Sequence, residues 1–173
     1  MSVKNRLTFE AVEIYSLSTA LEQSIDFYSF KCEKQNFADY LFSSAQEDDK
    51  KNIGKVWLFV SREKEVIGYV TLAMSQISRA FHPKLGRLTP HYNVPGILIG
   101  EMAGHIEYSG RGLGKLMIDW VVSKAVDLSQ FVACKLVIVE SEEDKIDVYK
   151  HWGFEPIENF EEKRNTMFLE IVQ

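Results

Sequence analysis

The chain is poor in cysteine, in proline and in long apolar runs, and these shortages exclude several classes of protein. Its 173 residues include 2 cysteines, Cys32 and Cys134, which are far apart and form no CxxC pair. A disulfide framework or a zinc site is therefore not expected, and a reducing cytoplasm is the simplest location. No apolar run reaches the roughly 20 residues of a membrane span, and the opening residues lack the apolar core of a secretory signal.

Basic residues are also fewer than acidic ones. Lysine and arginine number 20 against 25 aspartates and glutamates, which gives a net charge of -5. A generally basic nucleic-acid binder is thus excluded, although a local basic patch is not. With 4 prolines and 46% hydrophobic residues, and with no Gly/Ser tract or internal repeat, the sequence predicts one continuous domain over residues 1–173.

The apolar patterning predicts a mixed α/β fold. Strands are predicted at Leu7–Tyr15, Val56–Val60, Val66–Ala73, Ile97–Ala103, Lys135–Glu140 and Thr166–Val172. Helices are predicted at Cys32–Ala45, at Leu113–Leu128, and from a capping box at Ser141 to Gly153. The early strands are typical of an antiparallel meander that includes a hairpin. Helices separate the later strands, as the crossover connections of parallel strands require.

Alternating glycines stand in the turn between a predicted strand and a predicted helix, in the sequence GRGLG from Gly110 to Gly114. Glycine permits unusual backbone angles and close approach of a ligand, and the first turn of a helix offers N–H groups to an anion. The dinucleotide pattern GxGxxG fails because Lys115 stands at its last position, and the P-loop pattern fails at Ser109. A phosphate cradle of another kind is predicted, and a turn required only for packing is the alternative.

This segment, Tyr108-Ser-Gly-Arg-Gly-Leu-Gly-Lys, resembles the acyl-CoA pyrophosphate loop of the GNAT superfamily of acetyl-CoA-dependent N-acetyltransferases, whose usual pattern is Gln/Arg-x-x-Gly-x-Gly/Ala. Gly112 and Gly114 match, whereas Ser109 stands where Gln or Arg is usual. Tyr149-Lys-His-Trp-Gly-Phe resembles the family's Tyr-x-x-x-Gly-Phe, and the hairpin GKVWLFVSREKEVIGYVTL resembles its paired strands. The resemblance implies a mixed, splayed sheet flanked by helices.

A second stretch, Phe30 to Leu41, is similar to one found in toxin-type acetyltransferases that modify the amino group of aminoacyl-tRNA. Its first phenylalanine, Cys32 and its last leucine match, whereas Glu33 replaces a glycine and Ala38 stands where aspartate is common. Relatives of other function carry the same stretch, so it indicates a subgroup and leaves the substrate open. A toxin of this kind is expected to have a small antitoxin partner.

The resemblance implies acetyl-CoA as co-substrate, with no metal, and it supplies the candidate binding residues. Main-chain groups at the end of the fourth strand would contact the thioester and pantetheine and stabilise an oxyanion; these residues are Met102, Ala103 and Gly104. The turn would hold the diphosphate through Ser109, Gly110, Arg111, Gly112, Leu113, Gly114 and Lys115. Gly104 marks either a bulge in the strand or simply its end.

Tyr149 is the candidate general acid that protonates the departing thiolate. A phenol with a pKa of about 10 would give its proton to a thiolate whose thiol has a pKa of about 8.5, which is uphill by roughly 2 kcal/mol. The alternative is a core residue that packs with Trp152 and Phe154. Strand alternation places Glu101 and His105 on one face as candidate bases, although an amine that arrives neutral needs neither.

Basic residues gather between residues 77 and 94, where no acid interrupts them; they are Arg79, His82, Lys84, Arg87 and His91. This segment would receive a phosphate-rich acceptor or the phosphates of CoA, and a solvated loop is the alternative. The acidic run Glu155–Glu162 is predicted to be solvated surface.

Taken together, these patterns predict an N-acetyltransferase in which a primary amine attacks acetyl-CoA directly in a ternary complex. The acceptor is open among a small amine, a protein amine and an aminoacyl-tRNA, and a homodimer is also left open. The main alternative is a non-catalytic acyl-CoA-binding module, which would keep the glycine turn without needing Tyr149. A phosphate-binding α/β domain unrelated to CoA is the third interpretation.

Overall fold

The computed structural model describes residues 6–157 and 165–172. Its strands are β1 (Val12–Ser16), β2 (Lys55–Ser61), β3 (Val66–Ile77), β4 (Val94–Gly104), β5 (Leu136–Ser141), β6 (Glu155–Pro156) and β7 (Asn165–Glu170). Its α-helices are α1 (Leu17–Glu22), α2 (Gln35–Ser43), α3 (Ala45–Lys50), α4 (Pro83–Leu88), α5 (Leu113–Ser129) and α6 (Ile146–His151). Single 3-10 turns form at Phe9–Ala11, Arg79–Phe81, Ile106–Tyr108 and Glu143–Lys145.

Backbone contacts divide the chain into two compact units. The first unit comprises Met1–Leu72 and Gly100–Asp119, and the second comprises Ala73–Ile99 and Trp120–Gln173. Each unit has its own strand pairings and its own buried cluster.

The first unit is built on an antiparallel meander. β1 pairs with β2 from Val12 opposite Ser61 onward, and β2 pairs with β3 with an irregularity between Phe59 and Val60. The predicted hairpin is therefore confirmed. The strand predicted to begin at Leu7 starts only at Val12, because β2 ends at Ser61 and offers no partner to the preceding residues.

The core of the first unit lies between this meander and helices α1 to α3. Its members are buried apolar side chains from both layers: Leu17, Ala20, Phe27, Phe30, Ala38, Leu41, Ala45, Val56, Leu58, Val60, Val66, Tyr69 and Ala103. Burying apolar area contributes roughly 25 cal/mol per Å², so this cluster is the main force that holds the helices on the strands.

The second unit combines parallel and antiparallel pairs. β4 runs parallel to β5, with Gly96 opposite Leu136, while β5 and β6 are both antiparallel to β7. Parallel neighbours require a long crossover, which the chain makes through α5. The predicted mixed α/β class is confirmed. Its core cluster consists of Ile77, Leu85, Val94, Leu136, Ile138 and Phe168.

Two predicted helices differ from the structure. The helix predicted over Cys32–Ala45 is instead divided at Ser44 into α2 and α3. The capping box at Ser141 is wrong, because Ser141 is the last residue of β5 and its hydroxyl donates to the carbonyl of Glu142 over 2.8 Å. A 3-10 turn then precedes α6, which starts at Ile146. Of the acidic run Glu155–Glu162, residues 158–162 lie outside the described residues.

Short helices α1 and α4 were not predicted, although each carries a start motif. The Ser16 hydroxyl accepts the N–H of Thr19 over 3.2 Å at the start of α1. His82 Nδ1 accepts the N–H of Lys84 over 3.2 Å at the start of α4, whose first residue is Pro83. Within the described part of the chain, every helix is too short or too polar to cross a lipid bilayer.

Candidate active site

The glycine-rich turn lies in the first unit, between the end of β4 and the start of α5. Gly110 and Gly112 have φ values of 76° and 79°, in the left-handed region that favours glycine. The N–H of Leu116 donates to the carbonyl of Gly112 over 3.1 Å, so Gly112 is the N-cap of α5. The N–H groups of the first helical turn have no acceptor within the helix and carry the positive end of its dipole.

The surroundings of this turn fit a phosphate group. Apart from Gly110 itself and its two chain neighbours, no heavy atom of residues 6–157 and 165–172 lies within 4 Å of the position that a Cβ would take at Gly110. The guanidinium carbon of Arg111 lies 4.7 Å from the ring centroid of Tyr108, and Lys115 forms a salt bridge with Asp119 along α5. The turn thus combines open space, N–H donors and nearby positive charge, which is what an anion requires.

The end of β4 approaches the start of α5. A Cβ at Gly104 would come within 3.1 Å of Leu113 Cδ2, so the glycine allows Leu113 to pack against the strand. Gly104 is the last residue of β4, which fits the strand-end interpretation. Further back on β4, the N–H of Glu101 donates to the side-chain oxygen Thr71 Oγ1 over 2.7 Å. Ala103 belongs to the buried core, which anchors this end of β4 in the first unit.

Tyr149 lies in the second unit, on the last turn of α6, and the end of that helix is a Schellman motif. Gly153 has a φ of 92°, and its N–H donates to the carbonyl of Lys150 over 3.0 Å. The N–H of Phe154 donates to the carbonyl of Tyr149, also over 3.0 Å. This is the pairing that defines the motif, including its apolar contact between the first and last residues. The Tyr-x-x-x-Gly-Phe pattern therefore has a structural reason.

The ring of Tyr149 is buried, and both neighbouring aromatic rings pack edge-on against it. The ring centroids lie 5.5 Å from Trp152 and 5.3 Å from Phe154. Burial, together with a smaller contribution from the negative charge of Glu142, raises the pKa of Tyr149 to about 12. The packing fixes where the phenol lies, and the raised pKa keeps its proton in place at neutral pH.

Comparison with protein families identifies the chain. Residues 19–154 match the model of the acetyltransferase (GNAT) family. This chain belongs to the acetyltransferase (GNAT) family. The match confirms the resemblance inferred from the glycine turn, together with the acyltransferase class and acetyl-CoA as the co-substrate.

Individual relatives of this acetyltransferase include toxins that act on tRNA. A tRNA-acetylating toxin of Mycobacterium tuberculosis (strain ATCC 25618 / H37Rv) is 25% identical over 142 residues, which is 82% of this chain and 85% of that protein. AtaT complexed with acetyl-methionyl-tRNAfMet has a TM-score of 0.82 at 22% identity, covering 92% of this chain and 94% of that one. An AtaT mutant bound to the C-terminus of the antitoxin AtaR and acetyl-CoA has a TM-score of 0.75 at 21% identity, covering 92% and 93%.

The two candidate bases of this GNAT acetyltransferase differ in their surroundings. His105 Nδ1 accepts the N–H of Glu107 over 3.3 Å at the start of a 3-10 turn. The His105 ring also packs against Phe30 and Tyr108, at centroid distances of 5.8 Å and 6.1 Å. His105 thus has a structural role, with one ring nitrogen already used. Glu101 is half-buried on β4.

The negative charge of Glu101 acts on two stacked tyrosines in the first unit. The ring centroids of Tyr40 and Tyr69 are 6.4 Å apart with an interplanar angle of 21°. Burial raises the pKa of Tyr69, and the negative charge of Glu101 raises it further. The pKa of Tyr40 is raised by burial, by its hydrogen bond to Asp48 and, to a lesser degree, by Glu101. The negative charge of Glu101 would also attract a protonated amine.

The Phe30–Leu41 stretch borders the end of β4. Phe30 packs edge-on against Tyr69 at a centroid distance of 5.7 Å, and the carbonyl of Lys31 accepts the N–H of Ile106 over 2.8 Å. The pKa of the Cys32 thiol is raised by burial, so this cysteine is a poor nucleophile. The stretch therefore acts as packing beside the candidate base.

One neighbour of the glycine turn was missed by the sequence analysis. The N–H of Leu7 donates to the carbonyl of Arg111 over 2.9 Å, which brings the N-terminal segment against the turn. No periodicity or motif in the sequence indicates this contact. Among the residues that the structure describes, no group of three or more His, Cys, Asp and Glu side chains is arranged to hold a metal ion.

Proposed function

We propose that this acetyltransferase transfers the acetyl group of acetyl-CoA to the α-amino group of an aminoacyl-tRNA. The observation that carries the coenzyme-binding part of this proposal is the glycine turn that opens α5, with positive φ at Gly110 and Gly112. The tRNA-acetylating toxin that shares 25% identity over 142 residues supports this choice of acceptor. An antitoxin partner stays a prediction from the resemblance, and a homodimer stays open.

In this proposal the chain's own groups have separate roles. Main-chain N–H groups from Ser109 to Lys115 bind the diphosphate, and main-chain groups of Met102, Ala103 and Gly104 hold the pantetheine arm and stabilise the oxyanion. The amine nitrogen forms the new amide bond as the carbon–sulfur bond breaks. Tyr149 donates a proton to the departing thiolate, and Glu101 accepts the proton that the amine loses. Glu101 is favoured over His105 because its negative charge acts on Tyr40 and Tyr69 of the same unit, whereas His105 caps a 3-10 turn.

The first test measures acetyl transfer to matched acceptors. Purified protein with labelled acetyl-CoA is expected to acetylate charged tRNA at least about 100-fold faster than the free amino acid, because phosphate contacts add binding energy that a small amine lacks. Deacylated tRNA is the control, since it keeps the phosphates without the amine. Equal rates with small amines would overturn the proposed acceptor, and tight CoA binding without turnover on any acceptor would favour the binding module.

The basic segment in the second unit offers contacts for such an acceptor, although only part of its charge is available. Lys84 Nζ lies 2.6 Å from Glu155 and 3.4 Å from Glu170, so it serves as an ion-pair residue. Arg79 and Arg87 are both exposed. The backbone next to Arg87 lies near Arg79, since a Cβ built at Gly86 would be 3.6 Å from the carbonyl oxygen of Arg79. The two arginines are therefore the residues of this segment suited to phosphate.

Charge reversal tests this role. The double variant Arg79→Glu, Arg87→Glu is expected to lower kcat/KM for charged tRNA about 10- to 100-fold at low salt, because attraction to phosphates becomes repulsion. The salt dependence should also become shallower, while the rate with a small amine stays the same. Lys50→Glu, Lys51→Glu is the matched control, since both lysines are exposed and the change in net charge is equal. An equal loss in the control would mean that only total charge matters.

A further inference from the structure

A cationic side chain from the N-terminal segment lies directly on the glycine turn. The Cγ and Nε atoms of Arg6 are each 3.3 Å from the position that a Cβ would take at Gly112, and Cδ is 3.8 Å from it. Arg6 is exposed, and its neighbour Leu7 is tied to the turn by the hydrogen bond from its N–H to the carbonyl of Arg111. The missing side chain at Gly112 therefore leaves the space in which Arg6 packs.

This contact places like charges together. Gly112 is the N-cap of α5, so Arg6 lies where the helix has its positive end, equivalent to about half an elementary charge. A guanidinium has N–H donors and no acceptor, and the first-turn N–H groups of the helix are donors too. An anion with several oxygens can accept from both and removes their repulsion, whereas a cation or a neutral donor gains nothing here.

The other cations at the turn have neighbours that engage them. Lys115 is paired with Asp119 on α5, and the Arg111 guanidinium stacks over the Tyr108 ring. Arg6 contacts the N-cap residue itself. Its planar fork can bind two phosphate oxygens at once, a geometry that lysine cannot match.

We propose that Arg6 is a second, side-chain part of the acyl-CoA site and that its guanidinium binds the diphosphate which the main chain of the glycine turn also holds. This inference rests on the proposed function, since it requires that the turn is the coenzyme site. It makes the N-terminal segment part of the binding site and assigns a reason for glycine at position 112 besides its backbone angle.

Binding calorimetry with truncated coenzymes tests this inference. Arg6→Gln is expected to weaken CoA binding about 10- to 100-fold, the loss of one charge-assisted hydrogen-bonded contact. It should weaken the binding of 3′-dephospho-CoA, which keeps the diphosphate, by the same factor. Turnover with acetyl-pantetheine, which lacks the diphosphate, should be unchanged. Arg6→Lys should be intermediate, because the charge remains without the fork.

Arg62→Gln is the matched control. Arg62 is an exposed arginine of the same unit whose Nη2 donates to the carbonyl of Glu10, so it too contacts the N-terminal segment. For this control we expect a CoA affinity within about twofold of that of the unmodified protein. The reason is that substituting an exposed residue seldom alters a contact elsewhere in the structure. An equal loss in both variants would mean that the segment is only loosened, which overturns the assignment.

The other possible results of these measurements also decide whether Arg6 binds the diphosphate. Unchanged CoA affinity in Arg6→Gln overturns the inference, and so does a loss with acetyl-pantetheine equal to the loss with acetyl-CoA. A loss with CoA but none with 3′-dephospho-CoA would assign Arg6 to the 3′-phosphate and overturn the diphosphate contact. If the unmodified protein binds no CoA at all, the proposed function fails, and that result is distinct from each of these.

Discussion

Replacing Tyr149 with phenylalanine is expected to lower turnover about 10²- to 10⁴-fold, the usual contribution of a positioned general acid. The affinity for CoA and the melting temperature should change little. The substitution removes one oxygen and keeps the ring, so the edge-on contacts with Trp152 and Phe154 remain. Steady-state kinetics with calorimetric binding of CoA measures both quantities on the same sample.

The pKa of Tyr149 adds a second observable to this prediction. With a pKa of about 12, the phenol stays protonated throughout the range in which the protein can be assayed, so it should cause no alkaline fall in turnover below about pH 11. Proton transfer to a thiolate whose thiol pKa is about 8.5 is uphill by roughly 5 kcal/mol. That cost is well below a barrier of about 15 kcal/mol for ordinary enzyme turnover.

Tyr28→Phe is the matched control, since Tyr28 is 65% exposed and also packs on a neighbouring ring, that of Phe27. It should keep full activity. A Tyr149→Phe variant that retains more than about a third of the turnover contradicts the general-acid role, because so small a loss corresponds to less than 1 kcal/mol. A large fall in melting temperature together with activity would instead support the structural role.

The structural features that were predicted correctly from the sequence are those that depend on neighbouring residues. The glycine turn and the Gly153 end of α6 were predicted because left-handed backbone angles favour glycine, and both segments have positive φ there. The hairpin of β2 and β3 was predicted because two β-rich runs flank a short charged turn. Such features depend on residues within one turn of each other, so the sequence carries all the information they need.

Contacts between distant segments could not be predicted in the same way. The length of β1 depends on where β2 ends, since Val12, its first residue, is opposite Ser61, the last residue of β2. The position of Glu101 beside Tyr40 and Tyr69 likewise depends on how α2, β3 and β4 pack together. A single sequence states which residues are apolar or charged, but the register between segments emerges only from packing.

The second large effect is expected from a carboxylate at the glycine turn. Gly112→Asp should weaken CoA binding about 100- to 1000-fold more than Gly112→Asn does, because one unit charge at about 4 Å from another contributes up to about 4 kcal/mol near a protein surface. Gly112 directly precedes Leu113, the first residue of α5, so either side chain would stand at the same place at the start of the helix. The two substitutions therefore differ in charge and hardly in shape. Calorimetric titration with CoA measures the difference.

This comparison separates electrostatics from strain. Both side chains must adopt the φ of 79° at Gly112, which asparagine and aspartate tolerate better than most residues, and both crowd Arg6 to the same extent. A melting temperature of the aspartate variant at or above that of the asparagine variant is expected, since a negative charge at a helix N-terminus is stabilising. The aspartate would then occupy the place of the anion, gaining stability while it lowers the affinity for CoA. Equal affinities in the two variants would show that charge has no part in binding here, and unchanged affinity in both would place the diphosphate elsewhere.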